Sequence, residues 1–157
     1  MDEAVIQYYR RLLREDFPHA GEIRDPTIFV EAIGERMIHC GNTGNYMQIY
    51  LRVVDRRIGD IRYLCACEPV ANVAVEVLCT LAKGKTLDEA TDLSEEAFYQ
   101  FLGCRSDDLH QKVRGLLELL NEGIARYRGT ATGEKGPVAE DGGERGGKLN
   151  WDGALSI

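Results

Sequence analysis

The segment YMQIYLRVVDRRIGDIRYLCACEPVANVAVEVL, Tyr46 to Leu78, changes its hydrophobic period once, at Pro69. Before the proline, Met47, Ile49, Leu51 and Val53 alternate with Tyr46, Gln48, Tyr50 and Arg52. That is the period of a strand with one buried and one wetter face. Asp55–Arg57 is a short connection, and Ile58–Cys67 returns as a second strand. Strands joined by so few residues form an antiparallel hairpin. After the proline, Val70, Val73, Ala74, Val77, Leu78 and Leu81 recur at helical spacing. This predicts a helix with an apolar stripe, ended by Gly84. Pro69 suits its first position, where a missing N–H is harmless.

Working outward, Val5, Ile6, Tyr9, Leu12 and Leu13 predict a helix over 2–15. The prolines and glycine of FPHAGEIRDP, Phe17–Pro26, break it. TIFVEAIGERM reads as a first strand, with Ile28, Val30 and Ala32 on one face and Phe29, Glu31 and Ile33 on the other. HCGNTGN, His39–Asn45, is turn chemistry. Thr86–Ala90 and Ser94–Leu102 read as two short helices. Ser106 caps a last helix whose stripe is Leu109, Val113, Leu116, Leu117, Leu120 and Ile124. The order helix, strands, helices predicts an α+β fold: a small three-stranded antiparallel sheet with helices on one face.

The ordered domain is expected over 1–128. From Gly129 the chain is rich in glycine and charge, and a segment that buries so little apolar area is expected to be disordered over 129–157. The closing LNWDGALSI carries the single Trp and reads as a free tail, with docking to this domain or a partner as the alternative. A net charge of −7 without a basic stripe disfavours nucleic acid. No run of about 18 apolar residues exists to span a membrane. The acidic start lacks an apolar signal core, and five cysteines is an odd count. Together these lead us to expect reduced thiols and a cytoplasmic location.

With these elements placed, the chain resembles the U-type iron–sulfur cluster assembly scaffolds, the NifU/IscU-like family, over roughly residues 2–128. EAVIQYY is similar to the family's N-terminal helix. GNYMQIYLRVVDRRIGDIRY resembles its loop, strand, turn and strand. LAKGKTLDEA is close to its KGKSLDEA segment, and LNEGIARYR resembles its final helix end. The resemblance implies three cysteine ligands, one in a Cys-Gly-Asp loop, one at the start of the central helix and one early in the last helix. In this chain the loop triplet falls on Thr43, Gly44 and Asn45, the second ligand on Glu68, and the third on Lys112, or on Gln111 if His110 pairs with the family histidine. None is a cysteine. The proline-rich chaperone-recognition segment of some members is replaced by FLGCRSDDLHQKV.

Two readings follow. In one the site has moved into neighbouring cysteines: Cys40, Cys67 and Cys104, with Cys65 as a substitute, hold an iron or zinc ion or an iron–sulfur cluster. His39, His110, Glu68 and Asp107 would supply further ligands. Cys65 and Cys67 share a strand face about 6–7 Å apart at Cα, so chelation by both needs a bend. In the other reading the site is gone and the fold is kept. Lys112 or Gln111 is then an exposed residue, Cys65, Cys67, Cys104 and Cys79 pack as small hydrophobes, and the protein is an adaptor for an assembly partner such as a cysteine desulfurase. An enzyme is a third reading, with Cys67 beside Glu68 as an activated thiol. The sequence ties none of His19, His39 or His110 to it as a base. No phosphate-loop pattern is present.

Overall fold

In the computed structural model, residues 2–33 and 45–131 are described. Helix α1 (Glu3–Glu15) leads to strands β1 (Ile28–Ile33), β2 (Tyr46–Val54) and β3 (Arg57–Ala66). Helices α2 (Pro69–Ala82), α3 (Leu87–Thr91), α4 (Glu95–Leu102) and α5 (Asp107–Ala131) follow. The strands form one antiparallel sheet in the order β1-β2-β3, and the helices pack on one face of it, as the periodicity predicts. The last four residues of the expected first strand, 34–37, lie outside the described residues, as do His39, Cys40 and Thr43 and the tail from 132.

The β2–β3 turn follows from its backbone. Asp55 (φ 52°) and Arg56 (φ 68°) are both left-handed. Two such residues make the turn whose twist matches a two-residue hairpin. Two residues on, the register slips. Arg52 faces Asp60 while Val53 faces Ile58, leaving Gly59 as the extra residue of β3. Such a bulge re-aims side chains. Ile58 and Ile61 can therefore both be buried although an odd number of positions apart. Val53, expected on the buried face, is only half-buried beside the slip.

The helix-facing side of the sheet presents Ile28, Val30, Ala32, Met47, Ile49, Leu51, Ile58, Ile61 and Tyr63, all buried. Fully burying an aliphatic side chain contributes about 1.5–3 kcal/mol. The opposite side carries Phe29, Glu31, Gln48 and Tyr50. There the Gln48 amide donates to Glu31 at 2.6 Å, and the rings of Phe29 and Tyr50 lie 5.1 Å apart.

Helix α2 is central. The expected stripe is only part of what it buries: Ala71, Val75, Glu76, Cys79 and Ala82 are buried as well, because β3, α1, α4 and α5 surround it. α5 crosses both α2 and β1. Its Gly123 lies so close to the sheet that an added Cβ would overlap Val30 Cγ1. α1 uses a narrower face than its sequence suggests. Val5 and Leu12 are buried, while Leu13 points outward at 54% exposure.

The caps explain where the helices start. Asp2 accepts from the Ala4 amide, and Ser94 from Ala97. Thr86 and Glu89 form a reciprocal capping box at the head of α3. No helix among the described residues is long and apolar enough to cross a membrane.

Candidate functional site at the head of the central helix

Strand β3 ends at Ala66 and α2 begins at Pro69, so Cys67 and Glu68 form the entire connection. Ending the strand supplies the bend that chelation or pairing requires. The Cα atoms of Cys65 and Cys67 are 5.6 Å apart, closer than in an extended strand, and the two are joined as a disulfide. The expectation of reduced thiols is thus overturned for this pair. Cys65 stays in register opposite Met47, and both cysteines are half-buried against the core edge.

Glu68 is the N-cap residue of α2, yet its side chain makes no capping hydrogen bond. Its carboxylate turns instead to α5, where Lys112 Nζ donates to Oε1 at 3.0 Å. The Lys112 side chain is 6% exposed and that of Glu68 50%. This corrects the expectation of an exposed Lys112. The reason is helical phase: Leu109, Lys112, Val113 and Leu116 share the inward side of α5. Gln111, one step round, is exposed. Glu68, and Lys112 as one of the two α5 positions that the resemblance offers for a thiolate ligand, therefore hold a carboxylate and an ammonium in contact.

The other candidates go elsewhere. Cys104 lies between α4 and α5, free and half-buried. Burial pushes its thiol up, and the Asp2 carboxylate at the head of α1 pushes it further. Cys79 is wholly buried within α2; burial, then Glu76, pushes its thiol well up. His110 Nδ1 sits 2.9 Å from the Tyr99 hydroxyl and 2.9 Å from a Glu95 oxygen. Asp107 is exposed in the first turn of α5. Cys40 and His39 lie outside the described residues. Among the described residues, no three His, Cys, Asp or Glu side chains gather as a metal ion would require.

Sequence reasoning missed a buried polar cluster next to this connection. Glu76, 1% exposed, accepts the His19 backbone N–H at 3.1 Å and lies 2.8 Å from His19 Nδ1. The Tyr63 hydroxyl lies 2.9 Å from the same carboxylate and 2.7 Å from Asn72 Oδ1. Burial, then Glu76, pushes the Tyr63 phenol far above its ordinary value. The cluster ties the segment after α1 to the sheet edge, where the amides of Tyr63 and Gly21 donate to the His19 and Tyr63 carbonyls. One signal was available: Glu76 is the sole charged residue between Pro69 and Lys83.

The family NifU-like N-terminal domain matches residues 18–133 of this chain. No curated protein sequence matches it. Among solved structures, one similar chain is from Fervidobacterium islandicum, described as an iron–sulfur cluster assembly scaffold protein for the SUF system. It is 16% identical with a TM-score of 0.55, over 79% of this chain and 96% of that one. Another is the N-terminal part of a NifU-like protein from Brucella abortus, 11% identical with a TM-score of 0.55, over 81% of this chain and 93% of that one. At such identities the likeness is one of fold.

Proposed function

The chain belongs to the NifU-like N-terminal domain family, and from that premise we propose that it is a scaffold turned adaptor. It offers the family's surface to an iron–sulfur assembly partner, such as a cysteine desulfurase, without holding a cluster itself. One observation carries this reading. At the head of α2 and on α5, where the family resemblance places two thiolates, Glu68 and Lys112 neutralise each other at 3.0 Å. A metal site needs anionic or neutral donors aimed at one point. A buried ammonium at one of those points repels a cation.

The opposing reading, a relocated site of Cys40, Cys67, Cys104 and Cys65, predicts a different outcome of one experiment. The full chain is purified without oxygen, reduced with dithiothreitol so that Cys65 and Cys67 are free thiols, and incubated with ferrous iron and sulfide. Its visible spectrum and iron content are recorded, and a cysteine desulfurase is titrated into it by calorimetry. The adaptor reading expects a colourless protein that binds the desulfurase. A stable cluster chromophore that disappears in Cys67→Ser and Cys104→Ser would overturn it.

A further inference from the structure

We propose that Cys65 and Cys67 form a reversible dithiol–disulfide centre that takes two electrons from a dithiol reductant. The proposal does not rest on the adaptor reading. If it fails, neither iron content nor desulfurase binding is affected.

The location of the pair argues against a structural staple. Cys65 belongs to β3 and Cys67 to the connection directly after it, with only Ala66 between them. A cross-link gains stability mainly by restricting the unfolded chain, and that gain is least for the shortest loops. This one ties together no two distant elements. The bond also lies within reach of a reagent. Both cysteines are half-buried and Ala66 between them is exposed, whereas Cys79 is fully enclosed by the core. The 5.6 Å Cα separation lies within the range natural disulfides use, so the backbone already holds the two sulfurs for bridging. The geometry of the β3 end and the first turn of α2 therefore favours rapid reclosure after reduction.

The exchange balances as follows. One thiolate of the dithiol attacks a sulfur of the bridge, forming a mixed disulfide and releasing the other cysteine, which takes up a proton. The reductant's second thiolate then attacks the mixed disulfide and frees the remaining cysteine, which is protonated in turn. The protein gains two electrons and two protons, and the reductant becomes a cyclic disulfide.

The test uses the full oxidised chain with dithiothreitol as reductant, N-ethylmaleimide as trap and intact-mass spectrometry as readout. We expect two maleimides added on reduction, mapping to Cys65 and Cys67. Removing dithiothreitol and adding oxidised glutathione should rejoin the pair, with no glutathione retained on Cys65 or Cys67. In Cys65→Ser the same treatment should leave one glutathione on Cys67, because no neighbour remains to expel it. The oxidised and reduced chains should unfold at the same temperature. Stable glutathione adducts on the wild-type pair, or loss of folded structure on reduction, would overturn the proposal. Should Cys65→Ser prove insoluble, the wild-type chain decides alone: its bridge must titrate in glutathione buffers as a single two-electron transition.

Discussion

Lys112 reaches from the buried side of α5 to Glu68, the residue that opens α2, and the two charged groups meet at 3.0 Å. The pair is asymmetric, with the ammonium inside and the carboxylate half in water. The two ends do not contribute alike. Removing the carboxylate leaves a positive charge in a poorly solvated place. Removing the ammonium leaves an anion that water can still reach.

Glu68→Ala is therefore expected to lower the unfolding free energy by about 1–3 kcal/mol, and Lys112→Met to change it by less than about 1 kcal/mol. Urea denaturation of the two variants checks this. Equal losses would mean that Lys112 is held by its surroundings rather than by Glu68.

Glu76 is expected to be the more expensive loss. Its carboxylate takes bonds from the His19 amide and the Tyr63 side while 1% exposed. Glu76→Ala leaves the His19 amide without its acceptor and the Tyr63 hydroxyl with Asn72 Oδ1 alone, opens a cavity, and should cost about 3–5 kcal/mol. Hydrogen exchange should rise first at the amides of His19 and Tyr63, since the segment after α1 loses its anchor.

The pH dependence has a definite sign. Tyr63 and Cys79 both hold their protons more tightly folded than unfolded, chiefly through burial and then through Glu76. The unfolded thiol titrates near 9.0 and the unfolded phenol near 10.0. Above these values the unfolded chain binds fewer protons than the native one, so stability falls as pH rises. This contribution is complete below pH 9.0 and is lost progressively on the alkaline side. Melting curves of the reduced protein across that range should show the decline, and Cys79→Ala should flatten its lower part.

Gly123 tests the packing of α5 on the sheet. A methyl group there would overlap Val30 Cγ1 and press on Ile28. Gly123→Ala is expected to destabilise by about 1–3 kcal/mol despite its better helix propensity. A thermal melt decides it: an increase in midpoint would show that α5 can lift off β1 without loss.

The alternation of Met47, Ile49 and Leu51, the break at Pro69 and the stripe of α5 were sufficient to place the hairpin, the central helix and the long last helix. These signals are local, because side-chain direction repeats every two residues in a strand and every 3.6 in a helix. The capping box of Thr86 and Glu89 is also a local pattern, a Thr three residues before a Glu, although the expectation there is only the short helix over 86–90. The width of the buried face of α2 was not. How many sides of a helix are covered depends on what packs around it.

For the site, the sequence by itself determined that thiols and acids cluster where β3 runs into α2, and that Glu68, not a cysteine, opens the helix. Only the tertiary structure decided what those groups do. It turned Lys112 inward to meet Glu68, bent the end of β3 so that Cys65 and Cys67 join, and enclosed Glu76 with a histidine 57 residues away. The physical reason is that a charge or a thiol has no fixed role along the chain. Its role is set by the partner and the solvent exposure it finds after distant elements pack, and no periodicity records that.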